Sequence, residues 1–324
     1  MFHFQNTETK LRQFNHSLEH LMPVLTPFGV ILGLILGTLV SWMNPSVTYL
    51  FAFLTFCGAL GINTTDFFKV LRHPKPIIFF LIGANIIMPF LAWALASLVF
   101  HSNIAMITGY ILLLSIPTAV SGYIWSSIYE GNGALSLTFI LISTALAPIF
   151  TPFTVKLLAQ TSIAIDTTGM MLSLFKMVVI PSILGIVINN LTKGQVNEHI
   201  TPSLRPFSKL ALFLVIIINT SQVSKDLLAN ASWSYLPVAL VCATIASLSF
   251  PIAYVLGRIA KLSREDNISL TFAISLRNIS AALILAINYF PPETALPVIF
   301  GIVLQQTICA IMGHFLFGKN QPAS

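Results

Sequence analysis

The chain contains 324 residues, of which 56% are apolar and 8% are charged, and its mean hydropathy is +0.88. Soluble domains carry about 25% charged residues, so 16 Lys and Arg with 10 Asp and Glu exclude a soluble enzyme and a disordered chain. Apolar runs recur at the ~20-residue length that crosses a bilayer, which predicts an all-α polytopic membrane protein.

Ten transmembrane helices are predicted after an N-terminal cytoplasmic segment at residues 1–20, and a C-terminal tail at 318–324 follows them. Clusters of Pro and polar residues separate the helices. The predicted spans are 21–42, 48–66, 75–99, 105–129, 133–157, 168–190, 207–223, 233–259, 267–290 and 294–317.

Lys and Arg residues are distributed unequally between the two sides that these spans define. Twelve lie in the terminal segments and the loops on the same side, whereas Lys156 and Lys225 lie on the opposite side. Because cytoplasmic loops are enriched in Lys and Arg, both termini are predicted to be cytoplasmic and the protein to lie in the cell membrane. The net charge of +6 is spread over these short loops, so it does not indicate a nucleic-acid partner.

The ten spans divide into two sets of five, at 21–158 and 159–317. The run from Pro27 to Gly33 in the first span resembles that from Pro181 to Gly185 in the sixth. Since five is an odd number, two such halves insert in opposite orientations, the inverted-repeat arrangement of many secondary transporters.

Polar residues interrupt two spans at matching places in the halves. The fourth span contains Ser115 to Gly122 around Pro117, which is consistent with either a simple kink or a functional break. The ninth contains Ser275 to Ser280, a polar island without Pro or Gly, so local chemistry does not predict a break there.

Arg277 lies in the middle of the ninth span. An arginine at mid-membrane costs about 2.5–3.5 kcal/mol on insertion scales and normally faces a cavity or a partner. The ten acidic residues lie in loops or at span ends, and Glu130 comes nearest to the interior. Carbonyls at a helix break or an anionic substrate are therefore the expected partners of Arg277. Lys176, near the start of the sixth span, is close enough to one side to snorkel.

No cofactor or metal site is predicted from the sequence. Cys57, Cys242 and Cys309 lie within apolar runs and are interpreted as small buried hydrophobic residues. The histidines lie at span ends, in loops and in the N-terminal segment, without metal-ligand spacing. The expected partners are a small organic anion and the lipid bilayer, with no obligate protein partner evident.

Short motifs recur in order through most of the chain. They are Gly61-Ile62-Asn63-Thr64-Thr65-Asp66-Phe67, His73-Pro74-Lys75, Met88-Pro89, Gly131-Asn132 with Leu135-Ser136, Pro148 with Thr151-Pro152, and Lys176-Met177-Val178 with Pro181 and Leu184-Gly185. In this order and spacing they resemble the bile acid:sodium symporter family, and the resemblance covers roughly spans 1 to 10.

The resemblance implies inverted five-helix repeats arranged as a panel domain and a core domain. It also implies that spans 4 and 9 are unwound and cross at the bilayer midplane, so that two half-helix N-termini face an anion. Family members move organic anions such as bile acids, steroid sulfates, pyruvate or pantoate, usually with sodium.

This chain departs from the family pattern at the sodium sites. Oxygen-bearing family residues correspond to residues that mostly supply no side-chain oxygen here, and sodium needs several converging oxygens. The positions are Ala273 and Arg277 in place of Glu and Gln on span 9, Ala84 in place of a Gln on span 3, Gly122-Tyr123 in place of Ser-Asn on span 4, and Ile140 in place of Thr on span 5, while Ser136 and Asn278 are kept.

These departures predict a secondary transporter of small to medium organic anions, carboxylates or sulfo-conjugates, that is not coupled to sodium in the usual way. Such a transporter is an exchanger, a facilitator or a proton-coupled carrier. In the family site that the resemblance implies, one Glu and two bound sodium ions have a net charge of +1, and Arg277 alone also gives +1. One hypothesis is therefore that Arg277 replaces sodium. The other is that Arg277 binds the substrate carboxylate directly. A conventional sodium-coupled symporter is the alternative, and an intramembrane enzyme or a sensor is the second. Predicted substrate-lining residues are Thr118, Ser121, Tyr123, Arg277, Asn278 and Ser280, with Trp125, Gln305 and Gln306 as further candidates.

Overall fold

The computed structural model describes residues 28–61, 74–159, 166–222 and 235–318, together with Leu18, Leu25 and Ser224. These residues form α-helices, two π-helical turns and a 3₁₀ turn, with one isolated β-bridge. Apart from Leu18, the predicted N-terminal segment 1–20 lies outside the described residues, as do 62–73 and the end of the tail.

The helices are numbered in chain order. They are α1 (28–36), α2 (Thr38–Ser41), α3 (Asn44–Ala59), α4 (Pro74–Phe100), α5 (Ile104–Ser115), α6 (Ser121–Ile128), α7 (Gly133–Leu158), α8 (Thr167–Leu191), α9 (Gln195–His199), α10 (Thr201–Gln222), α11 (Leu236–Ile259), α12 (Arg264–Ser275), α13 (Ile279–Tyr289), the 3₁₀ turn Pro292–Thr294 and α14 (Ala295–Phe317).

Six stretches of the described chain are long and apolar enough to cross a membrane. They are α4, α7, α8, α10, α11 and the helical run Pro292–Phe317, and the shorter apolar helices α5 and α13 accompany them. The all-helical structure and these six spans agree with the predicted polytopic membrane protein. The count of ten spans and the repeat boundaries at 21–158 and 159–317 stay predictions.

The chain folds into two compact units, each assembled from both halves of the sequence. The first comprises residues 1–65 and 172–229, and the second comprises residues 66–171 and 230–324. Arg277 and the other predicted site residues all belong to the second unit.

In the first unit, α3 packs against α10 and α8. Helix α8 approaches α3 closely at Gly185, where an added Cβ would come within 2.8 Å of Ala59 Cβ and Phe56 O. Small residues that let helix backbones approach are the usual contact points between membrane helices. Lys176 lies in the π-helical turn Phe175–Val179 of α8, with an exposed side chain.

In the second unit, the N-terminal halves of the two interrupted spans form the core. Every residue of α5 from Met106 to Ser115 is buried, and so is every residue of α12 from Asn267 to Ser275. Helix α5 packs against α4, α7 and α14, and α12 packs against α11, α6 and α7. The two interruptions that follow these halves are therefore held at the centre of the unit.

Candidate functional site

The fourth and ninth predicted spans are both broken at the polar segments. Helix α5 ends at Ser115, Ile116 is extended with ψ of 158°, and α6 begins at Ser121. Helix α12 ends at Ser275, Leu276 is extended with φ of −101° and ψ of 119°, and α13 begins at Ile279. Two C-terminal and two N-terminal helix ends consequently meet at one place in the second unit.

The two broken segments pair with each other as a short antiparallel β-bridge between Thr118 and Arg277. The amide of Ala119 donates to the carbonyl of Leu276 at 3.0 Å. The amide of Asn278 donates to the carbonyl of Pro117 at 2.9 Å. Backbone groups of each segment lose their helical hydrogen bonds where the helix is broken, and the other segment supplies replacements. Backbone groups in a membrane must be hydrogen-bonded in this way.

Thr118 holds together the two paired segments, called the crossing below, and does not line an open surface. Its side chain is 3% exposed, and its hydroxyl donates to the carbonyls of Ala273 at 2.6 Å and Leu276 at 3.0 Å. Its amide donates to Ser143 Oγ of α7 at 2.9 Å. The predicted substrate-lining residue Thr118 therefore joins α12 and α7 to the break in span 4.

Arg277 has the largest of the fully buried side chains in the described residues, with 1% exposure. Its guanidinium donates to the carbonyl of Ala84 at 2.8 Å and to the carbonyl of Ile116 at 3.3 Å. The Nε atom has no partner in the described part of the chain. Of the partners expected from the sequence, the structure shows carbonyls, one of them at the break of span 4.

The carbonyl of Ala84 is available because of Pro89. Ala84 lies in the π-helical turn Gly83–Ile87, where the amide of Met88 donates to the carbonyl of Gly83. In that register the next amide along, at position 89, would donate to Ala84, but proline has no N–H. The carbonyl that the helix leaves unpaired accepts the Arg277 guanidinium instead.

Gln305 of α14 holds the backbone of Arg277 in place. Its Oε1 accepts from the Arg277 amide at 3.0 Å, and its Nε2 donates to the Arg277 carbonyl at 3.1 Å. Gln306 accepts from Trp125 Nε1 at 2.9 Å and donates to Ser121 Oγ at 3.4 Å. Both glutamines therefore hydrogen-bond neighbouring segments of the chain.

At the positions that the resemblance matches to sodium ligands, the chain makes contacts within the protein. Ala273 and Ala84 are buried and present only backbone oxygens, which Thr118 and Arg277 use. At Gly122, which the resemblance matches to a serine, an added Cβ would lie 3.3 Å from Phe272 O, so α6 approaches α12 closely.

The retained hydroxyl of Ser136 belongs to a chain of buried hydroxyl groups. Ser136 Oγ donates to Ser126 Oγ at 3.0 Å, which lies 3.0 Å from Ser269 Oγ. Ser269 Oγ donates in turn to the carbonyl of Asn132 at 2.9 Å. The chain links α7, α6 and α12, so Ser136 is already paired within the protein.

The remaining predicted residues are half-exposed around the two N-terminal helix ends. They are Ser121 and Tyr123 on α6 and Asn278 and Ser280 at the start of α13. Neither Val120 nor Asn278, the N-cap residues of these helices, makes a side-chain capping hydrogen bond. Several of the first amides already donate to nearby carbonyls, such as Gly122 to Ala119 and Ala281 to Asn278, so the partial positive charge of the two helix starts is what favours an anion.

A family model described as Sodium Bile acid symporter family matches residues 48–230, more than half of the chain. The chain belongs to this family. A relative from Bacillus subtilis strain 168, the uncharacterized protein YbaS, is 37% identical over 91% of this chain and 96% of its own length.

Two further relatives carry names that state a transport activity. The uncharacterized sodium-dependent transporter YocS of Bacillus subtilis strain 168 is 24% identical over 89% of this chain and 88% of its own length. The probable chloroplastic sodium/metabolite cotransporter BASS2 of Oryza sativa subsp. japonica is 24% identical over 99% of this chain and 76% of its own length. The family match and the six long apolar helices together show that this chain is a membrane-embedded protein of a transporter family.

Proposed function

We propose that the protein is a secondary transporter of small to medium organic anions, carboxylates or sulfo-conjugates, in which Arg277 stands in for coupling sodium. The observation that carries the proposal is the contact set of the guanidinium. It binds the carbonyls of Ala84 and Ile116, which belong to two different spans, at the crossing of the broken helices. A bound cation held by backbone oxygens would join the same two spans.

The charge at the crossing supports an anionic substrate. Arginine stays protonated in proteins. The acidic residues in the described chain lie in turns or loops, in short helices or in the first turn of a helix. They are Glu130, Asp166, Glu198, Glu265, Asp266 and Glu293. A positive charge that no carboxylate balances, next to two helix N-termini, attracts an anion.

Burial favours a sodium-like role of Arg277 over a direct clamp on the substrate. The side chain is 1% exposed, and both terminal nitrogens already donate to carbonyls. A clamp would present its fork of donors to the ligand as a bidentate pair. The half-exposed residues Ser121, Tyr123, Asn278 and Ser280 are the proposed substrate contacts.

The family and the names of YocS and BASS2 favour a conventional sodium-coupled symporter as the second candidate. Uptake of labelled pantoate, pyruvate and taurocholate into proteoliposomes, with sodium replaced by potassium, separates the two. Equal uptake of one anion in both media supports the proposal. Collapse of uptake in potassium contradicts it and shows that other oxygens bind the ion.

Replacing Arg277 with Gln tests the role of the charge. Because Gln removes the charge and keeps hydrogen-bonding capacity, we expect R277Q to lose transport in potassium and to regain part of it when sodium is added. The matched control is R258Q, which removes an exposed arginine at the end of α11. R277Q transport that shows only a weaker apparent affinity in both media would instead support the clamp.

An enzyme or a sensor remains the alternative outside transport, and no feature of the described residues favours either. We also propose that the protein lies in the cell membrane with both termini cytoplasmic, from the distribution of its Lys and Arg residues. Reporter fusions at the two termini test this orientation.

A further inference from the structure

The positive charge at the crossing is the guanidinium of Arg277, which the transporter cannot release. The guanidinium is covalently part of the chain, stays charged and binds Ala84 and Ile116, which belong to the same compact unit as Arg277 itself. A sodium ion in an equivalent place dissociates at the end of each transport cycle. This difference has a consequence for how the transporter returns after it has delivered its substrate.

A sodium-coupled symporter conserves its ion gradient only if the form that carries sodium without substrate does not change its accessible side. Movement of that form would leak sodium. If Arg277 replaces sodium, the substrate-free form of this protein always carries its cation. It is then equivalent to a symporter that has bound sodium without substrate, the form that does not change its accessible side. From this correspondence, which rests on the proposed function, we infer that the protein is an obligatory exchanger of monovalent organic anions.

The charge balance of the crossing agrees with exchange. Without substrate, the described part of the second unit holds one buried guanidinium that faces carbonyl oxygens and no carboxylate. A bound monovalent anion brings the net charge of the crossing to zero, and moving a neutral site through a region of low dielectric costs less than moving a charged one. The loaded form therefore changes sides more readily than the empty one.

The same balance selects the substrate class. A monovalent carboxylate or a sulfo-conjugate with one negative charge neutralises Arg277, whereas a divalent anion leaves the site at −1. Exchange of one monovalent anion for another moves no net charge, so a membrane potential of either sign leaves its rate unchanged.

The experiment compares proteoliposomes that are empty with proteoliposomes preloaded with unlabelled pantoate, pyruvate or taurocholate, in potassium medium without sodium. The same anion, labelled, is added outside, and valinomycin with a potassium gradient sets the potential. We expect uptake of a transported anion to be faster in preloaded vesicles by about tenfold or more, the factor that a modest barrier difference produces. We also expect that rate to be independent of the potential.

Three outcomes contradict different statements. Equal rates in empty and preloaded vesicles, with uptake that follows the potential, show a facilitator and overturn the exchange inference while the proposed function stands. Sodium-dependent uptake overturns the sodium-surrogate proposal, whatever the effect of preloading. Absence of uptake of all three anions by protein that keeps its melting temperature contradicts anion transport of the proposed class.

Two variants with opposite expectations test the role of Arg277 in exchange. R277K keeps a positive charge at the crossing and should keep the preference for preloaded vesicles. R277Q removes the charge, so the transport that it regains when sodium is added should proceed equally well in empty vesicles. R258Q is the control and should match the unsubstituted protein. An R277K variant that transports without a preference for preloaded vesicles, or an R277Q variant that keeps the preference, overturns the inference.

Discussion

At the scale of single residues, Thr118 and Arg277 have complementary tasks at the crossing. Thr118 ties the backbone of the ninth span to that of the fourth through its hydroxyl, and Arg277 ties the fourth span to the third through its guanidinium. Both side chains are buried, so both act on the arrangement of the helix ends, and the half-exposed residues around them are the proposed substrate contacts.

We expect Thr118→Val to lower the stability of the protein. Valine matches the shape of threonine but leaves the carbonyl of Ala273 without its hydroxyl donor, at a cost of about 1–3 kcal/mol for a buried polar group. The carbonyl of Leu276 still accepts from the Ala119 amide. Thermal unfolding of the protein in detergent measures the change.

Thr244→Val is the control for this substitution, because that threonine is exposed and bonds only the carbonyl of Leu240 in its own helix. Thr118→Ser keeps the hydroxyl and should remain close to the unsubstituted protein. Equal melting temperatures for the two valine variants would show that the Thr118 hydroxyl does not hold the crossing together.

The sequence predicted that backbone carbonyls could be partners of Arg277, but it did not predict which residues supply them. A carbonyl at a break of the fourth span was one of the expected partners, since Pro117 is consistent with either a kink or a break there. The carbonyl of Ala84 depends on the hydrogen-bond register between Gly83 and Met88, which is set by the π-helical turn. Met88-Pro89 was the available signal, and it indicated only a family resemblance.

At the scale of helices, prolines determine which carbonyls are available. Pro89 follows the π-helical turn Gly83–Ile87 of α4, and Pro181 follows the π-helical turn Phe175–Val179 of α8 at the same spacing. A missing amide and the steric demand of the ring widen the preceding turn in each case. In α4 the displaced carbonyl is used by Arg277.

We expect Pro89→Ala to impair transport. The alanine amide restores a helical donor for the carbonyl of Ala84, which then competes with Arg277. Loss of a hydrogen bond to a charged group is worth about 1.5–3 kcal/mol, which corresponds to about a tenfold or greater reduction in transport rate if the bond supports the active arrangement.

The rate of anion uptake into proteoliposomes measures the effect of this substitution. Pro237→Ala is the control, because Pro237 lies at the start of α11, where no amide is needed within the helix. Unchanged uptake by P89A would mean that the contact between Ala84 and Arg277 is dispensable.

The break in the ninth span illustrates why local sequence is insufficient at this scale. No Pro or Gly occurs between Ser275 and Ser280, and each residue there is compatible with a helix. The break is instead stabilised by distant groups: the paired segment around Thr118 and the side chain of Gln305. Tertiary hydrogen bonds of this kind have no periodic signature in the segment itself.

At the scale of the whole chain, each compact unit is built from both halves of the sequence. The first unit contains residues 1–65 and 172–229, so α3 from the first half packs against α8 and α10 from the second. The hydrophobic pattern predicted where helices occur, because each apolar run must be buried or face lipid. It does not encode which helices become neighbours, since all the runs are apolar.

Division of the chain after residue 165 should therefore yield two fragments that fail to fold separately. Each fragment contains helices of both units without their partners, for example α12 without α6 and α7. We expect fluorescence-detected size exclusion to show aggregation of each fragment expressed alone and a monodisperse species when both are expressed together. A monodisperse single fragment would show that the sequence halves fold independently of the two units.

Because the three cysteines are buried, a single introduced cysteine can be labelled selectively in the natural chain. Cys57, Cys242 and Cys309 are each enclosed within a helix interface of the protein. A membrane-impermeant maleimide meets no accessible thiol among them, so a cysteine introduced at half-exposed Ser280 would be the reactive one. Its labelling from either face of the membrane, with and without an anion, would report which side the crossing is open to, without removal of any natural cysteine.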